Sequence, residues 1–136
     1  MKLHIPNILF GFSVLFLTAF AGGALLGGTF NAQSIQDGYH SLPLQRFFLR
    51  EGHSHGNFMA IYNILVGIVL ANIALTDRLR KITSWSAMAA VLLPIGLAWK
   101  GMLGGVDEPP PVALVGIIGI GISLALIIYG TLRTNR

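Results

Sequence analysis

The chain has 136 residues, 54% of them hydrophobic and 10% charged, with a formal net charge of +4 and a mean hydropathy of +0.72. A soluble domain carries about 25% charged residues, and one this short has too little interior to hide so much apolar surface, so lipid is the expected solvent for most side chains. The basic residues lie between apolar stretches and form no aromatic-basic patch, which excludes a nucleic-acid footprint; the lack of cysteine excludes disulfides, Fe–S clusters, thiolate catalysis and covalent c-type haem.

The first predicted element is a membrane span over about residues 7–28. It follows Lys2 and contains no charged residue. At about 1.5 Å rise per residue it crosses a hydrocarbon core of roughly 30 Å. The same stretch also fits a signal peptide, with Ala19-Phe20-Ala21 as the cleavage site, but a retained span is the preferred reading. Gly22, Gly23, Gly27 and Gly28 are placed to let another helix approach closely.

Residues 29–52 form the longest predicted non-membrane segment. Within it Leu44, Phe47 and Phe48 recur on one side at helical spacing, beside Arg46 and Arg50. That pattern predicts a short interfacial helix lying on the headgroups between the first and second spans.

A second span is expected over about 55–75, then the basic turn of Asp77, Arg78, Arg80 and Lys81. The third span is expected over about 82–102. Pro94 lies inside it and should kink it by removing a backbone donor. Pro109, Pro110 and Pro111 announce a fourth span over about 112–132, since proline suits the first turn of a helix. Gly116, Gly119, Gly121, Ser123 and Ala125 give that span a small-residue face. Gly116, Gly119 and Gly121 are not a nucleotide loop, because they sit inside an apolar span with no strand before them. The whole chain thus reads as one all-α membrane domain, a four-helix bundle. The positive-inside rule puts both termini on the cytoplasmic side, in a multi-pass arrangement.

The candidate site is Arg50-Glu51-Gly52-His53-Ser54-His55-Gly56-Asn57, at the outer edge of the membrane. On a helical wheel His53, Gly56, Asn57, Ala60, Asn63, Gly67 and Ala71 share one arc, all small or polar. His55 and Tyr62 fall nearly opposite, toward lipid or a neighbouring subunit. The inward face reads in two ways. Small residues and asparagines join membrane helices routinely. Alternatively His53 ligates a metal or a haem iron, since neutral imidazole is a common ligand. Were the segment extended, His53 and His55 would lie on one side and hold copper or zinc, with His40 and Glu51 completing the set. Trp85 and Trp99 near opposite ends of the third span fit an aromatic belt, and His4 and Tyr129 fit cytoplasmic interfacial anchors.

Gly38-Tyr39, Arg50 shortly before His53-Ser54, Asp77 followed by a basic turn, and a Pro/Gly-rich loop before the last span together resemble the styrene oxide isomerases, small four-span bacterial membrane proteins. The resemblance implies a trimer in the bacterial inner membrane that binds haem b near subunit interfaces. It implies His53 as axial ligand and Arg50, Tyr39 and Trp99 as cofactor-binding residues. The haem iron would act as a Lewis acid on an epoxide, which rearranges to an aldehyde. The family's substrate-handling asparagine falls six residues after the ligand, where this chain has Met59; Asn57 and Asn63 are the nearest candidates for that role. A family tyrosine aligns near Ala98, beside Trp99. Besides lipid, the expected partners are a small hydrophobic substrate and further copies of the chain. The alternative is a non-enzymatic accessory subunit of a larger membrane complex.

Overall fold

The computed structural model describes residues 4–28, 44–103 and 110–134. Among them every regular element is helical. In chain order these are α1 (Ile5–Leu15), a π-helical segment (Phe16–Gly22), α2 (Gly23–Gly28), α3 (Leu44–Val69), α4 (Asp77–Ala89), α5 (Leu92–Met102) and α6 (Pro111–Thr134). Three stretches, Ile5–Gly22, Asp77–Met102 and Pro111–Thr134, are long and apolar enough to cross a membrane. α3 is as long, at 26 residues. Its two histidines and two asparagines make it less apolar than the other three.

The helix ends follow local chemistry. Pro6 opens α1, where its missing N–H would have had no intrahelical partner. Thr76 caps α4 by accepting from the Leu79 N–H, and Asp77 adds negative charge to the first turn. That cap starts the helix at residue 77 rather than near 82, so Arg78, Arg80 and Lys81 lie in its opening turns. Between α4 and α5 the chain breaks at Ala90 and Val91. Pro94 has no N–H for the Ala90 carbonyl, and the Leu93 N–H takes its place at 3.1 Å. The expected perturbation by Pro94 therefore appears as a one-turn discontinuity upstream of it.

Two boundaries differ from expectation. Among the described residues the amphipathic turn around Phe47 and Phe48 is not a separate interfacial helix: Leu44 to Val69 is one continuous helix, so that turn begins α3. The helix runs on because Gly52, the residue most apt to break it, is pinned against α5. A Cβ there would lie 2.9 Å from both the nitrogen and the Cβ of Ala98. At the other end α3 stops at Val69 instead of near 75. The Asn72 side chain donates to the Ile68 carbonyl at 2.8 Å, and the turn folds Leu70, Ile73 and Leu75 back against Val66 and Ala87. Burial of those apolar residues does not require them to be helical.

α3 packs between α1 and α5, while α6 packs along α4 and α5. α1 and α3 run antiparallel and very close. A Cβ on Gly67 would lie 2.5 Å from Ile8, one on Gly11 would lie 2.6 Å from the Ala60 carbonyl, and Gly56 is covered by Thr18. On α6 the contact face is Gly116, Gly119, Ser123 and Gly130. Gly121 has open space around it and Ala125 is exposed, so neither belongs to that face. The interior is thus small and polar, with Asn7, Asn63, Thr83, Ser84 and Ser123 all buried. The exterior carries Phe12, Phe16, Phe20, Trp85, Ile118 and Leu132. Close backbone approach inside and large apolar groups outside is how helices associate where lipid is the solvent.

Candidate functional site

His53 sits on α3 opposite the π-helical segment, and three hydrogen bonds hold its surroundings in a ring. The Thr18 carbonyl lies 2.8 Å from His53 Nδ1. A carbonyl only accepts, so Nδ1 carries the proton and, in the neutral ring, Nε2 carries the lone pair. The Thr18 hydroxyl lies 2.7 Å from Asn57 Oδ1 and 2.9 Å from the Val14 carbonyl, so its one proton is shared between two acceptors. Asn57 Oδ1 accepts, which turns Asn57 Nδ2 toward His53 Nε2 at 3.3 Å. One residue, Thr18, therefore orients both members of the pair, the imidazole through its backbone and the amide through its side chain. Gly22 makes room for the ring, since a Cβ there would lie 2.9 Å from His53 Nδ1.

Beside this ring lies a cavity of about 220 Å³. Leu17, Leu26, Leu49, Val91, Pro94 and Ile95 supply most of its wall. His53 and Thr18 are its polar edge. Gly22, Gly52 and Ala98 complete its lining. An apolar chamber with a few convergent polar groups is the usual form of a small-molecule site.

The structure separates the residues that the sequence grouped together. His53 and Asn57 meet. Asn63 does not join them; it lies two to three turns further along α3 in a second network. There Asn63 Nδ2 donates to the Ala87 and Met59 carbonyls at 2.9 and 3.0 Å, and Asn7 Nδ2 donates to Asn63 Oδ1 at 3.1 Å. Asn7 also donates to the Ser84 carbonyl, while its own oxygen accepts from the Ser84 hydroxyl at 2.6 Å and from the His4 ring at 2.8 Å. Every polar atom of the two amides is engaged, so this network joins α1, α3 and α4 and offers no ligand a free group.

Arg50 pairs with Glu51 at 3.0 Å and stacks over Phe47. Trp99 is 53% exposed and is not in the cavity wall, whereas its neighbour Ala98 is. Tyr39 and His40 lie outside the described residues. His55 bonds to the Glu51 carbonyl and faces a shallow groove with Phe58, Leu93 and Ile120. Because the segment is helical, His53 and His55 do not share a side, and the extended geometry that a two-histidine copper or zinc site needs is not adopted. Among the described residues no three histidine or acidic side chains gather as a metal set. Tyr62 corrects another expectation. It does not face lipid or a second subunit but hydrogen-bonds to Ser123 on α6 within the same chain.

Thr18, Asn7, His4 and Ser84 escaped the sequence reading. His4 resembled an interfacial anchor, and the hydroxyls looked like ordinary small residues of a packing face. The available signal was Asn7 itself, an amide inside a span that otherwise carries no polar side chain larger than Ser or Thr. A polar group at that depth implies a buried partner.

The fold and site together define an all-helical chain with three membrane-length helices and a histidine-edged apolar cavity. No protein-family model, curated protein or solved structure matches the chain.

Proposed function

We propose that this chain is an integral membrane four-helix bundle that takes a small apolar molecule from the bilayer into the His53 cavity. Residues 5–28, 44–69, 77–102 and 111–134 are its crossings, with both termini cytoplasmic in a bacterial inner membrane. The distribution of basic residues supports that orientation: Arg78, Arg80, Lys81 and Arg133 lie at one end, and Arg46, Arg50 and Lys100 share the other with Glu51. α3 exceeds the hydrocarbon thickness, at about 39 Å for its length. Its first turns then stand among the headgroups, and His53 lies just below them. The observation that carries the reading is the cavity itself, whose lining is apolar except at His53 and Thr18. Its test is toluene uptake by the protein in lipid nanodiscs. Toluene should raise the unfolding temperature of the wild type and not that of Val91→Trp, whose larger side chain fills the chamber. Equal responses of the two proteins would refute the reading.

A second reading is haem b on His53, with epoxide isomerisation as the resemblance implies. One observation favours it: the Nδ1–H bond to the Thr18 carbonyl is the outer bond that metal-bound histidines usually make, and it fixes Nε2 as the donor atom. The space fits less well. The cavity, at about 220 Å³, is below the roughly 300–1,000 Å³ of most small-molecule sites, so a macrocycle must extend past its walls, toward lipid or a second copy of the chain. The haem reading is therefore tied to a homo-oligomer, the trimer of the resemblance. A Soret band in the purified wild type that is lost in His53→Ala supports it; a colourless wild type reconstituted with haem and showing no band removes it.

A further inference from the structure

We infer that the exposed face of α4 formed by Arg78, Lys81, Ile82 and Trp85 binds an anionic phospholipid, with its phosphate on the two cations and its acyl chains along the two apolar side chains. The inference rests on the proposed passage of the chain through a membrane and adds the chemical class of lipid that this face selects.

Helical spacing assembles the face. At about 100° per residue, Arg78, Lys81, Ile82 and Trp85 fall within one arc of about 100°. All four are exposed, Trp85 by 72%. The other sides of α4 are taken. Ser84 meets Asn7 of α1, the Ala87 carbonyl meets Asn63 of α3, and the Ser86 carbonyl lies against Gly119 of α6. Arg78 and Lys81 are three residues apart, so their Cβ atoms lie about 5–6 Å from each other. That spacing lets both side chains reach one phosphate. Trp85 follows one turn, about 6 Å, deeper than Lys81.

Charge decides the partner. Asp77 is the acid nearest in sequence, yet it forms no ion pair with either cation; among the described residues the ion pairs lie at the other end of the bundle, at Glu51. Arg133, over the Tyr129 ring, adds a third positive charge at the same end, where the Thr134 hydroxyl accepts from the Ala74 N–H at 2.7 Å and ties the end of α6 to the approach to α4. A guanidinium meets two phosphate oxygens with parallel N–H bonds, and an ammonium adds a point charge. A free phosphate gains nothing from Ile82 and Trp85. A phospholipid has chains that cover them, and ester oxygens at a depth where an indole N–H can donate. A zwitterionic headgroup brings its own ammonium beside the phosphate, which repels Arg78 and Lys81. An anionic headgroup does not, and basic clusters at the ends of membrane helices attract such lipids.

The test is quenching of Trp85 fluorescence by lipids brominated near the top of the acyl chain. The full-length protein carries Trp99→Phe, which leaves Trp85 as its one tryptophan. Nanodiscs of phosphatidylcholine receive brominated phosphatidylglycerol or brominated phosphatidylcholine at equal mole fraction. Each basic side chain at a membrane surface favours anionic lipid about fivefold, so phosphatidylglycerol should be preferred roughly twentyfold. Arg78→Gln and Lys81→Gln should each lower that preference about fivefold. Arg80→Gln removes the same charge from the opposite side of α4, one turn before Ser84, and should leave the preference intact. Equal losses in Arg80→Gln and Arg78→Gln would show diffuse attraction and overturn the site. Inorganic phosphate that abolishes the preference at constant ionic strength would assign the cations to a soluble anion instead. Equal quenching by the two lipids overturns the lipid assignment while the membrane reading stands, and binding of an oligoglutamate peptide in those nanodiscs would then mark the face as a dock for an acidic protein. If neither lipid quenches Trp85, the membrane reading falls as well.

Discussion

Replacing Asn63 by leucine removes three hydrogen bonds, two of which cross between helices: one from Asn7 on α1 and one to the Ala87 carbonyl on α4. Hydrogen bonds between membrane helices contribute about 0.6 kcal/mol each on average and about 1.7 at most, so the expected loss is about 1–3 kcal/mol. The low end is favoured by what remains. The Ala87 carbonyl still accepts from the Ala90 N–H, and Asn7 Nδ2 still reaches the Ser84 carbonyl. Asn7→Leu is a harsher change. It strands Asn63 Oδ1 and the Ser84 hydroxyl in a buried site, and each unsatisfied buried group costs about 1–3 kcal/mol. Asn7→Leu should therefore cost more than Asn63→Leu, and the double variant should cost less than the two together. Reversible unfolding in mixed micelles measures all three. Double-variant losses that add within about 0.5 kcal/mol would show that the residues do not act as one network and would refute the reasoning. Toluene uptake at the His53 cavity is expected to be unchanged in Asn63→Leu, because the two networks share no hydrogen bond.

The glycines give a matched pair of outcomes. Gly11→Ala puts a Cβ 2.6 Å from the Ala60 carbonyl and should cost about 1–3 kcal/mol in the same unfolding assay, whereas Gly121→Ala, with open space around it, should be neutral or stabilise by up to about 1 kcal/mol. Thr76→Ala removes the cap of α4 and should lower stability by about 0.5–2 kcal/mol, with Thr76→Ser recovering most of it. Gly22→Ala crowds His53 Nδ1 and should reduce the rise in unfolding temperature that toluene gives in nanodiscs while leaving helix content by circular dichroism unchanged.

The apolar stretches and the small-and-polar face of α3 were legible in the sequence. Lipid demands long apolar runs, and close helix packing demands small residues at helical spacing. Gly56, Ala60, Asn63 and Gly67 are indeed buried on one side of α3. What the wheel could not give was the identity of the neighbour on each side. Helical spacing puts Tyr62 opposite that face, toward lipid or a second subunit, but α6 folds back to meet it through Ser123. Nor does spacing along α3 reveal that Asn57 and Asn63 belong to different networks. Their partners, Thr18 and Asn7, come from another helix. The ends of α3 were missed for a related reason: hydropathy marks where apolar residues are buried, and the turn at residues 70–75 buries them without a helix.

The π-helical segment at Phe16–Gly22 carries one residue more than an α-helix would over the same turns. An added residue rotates everything beyond it by about 100°. Ahead of it α1 meets α3 with Asn7, Gly11 and Val14; within and at its end, Thr18 and Gly22 meet His53. Register at the imidazole is therefore stored in the length of the chain as well as in its side chains. Deleting one residue from this segment would let the helix relax to ordinary α geometry and remain long and apolar enough to cross a bilayer. It would also turn Gly22 away from His53, closing the chamber without changing any residue that lines it on α3 or α5.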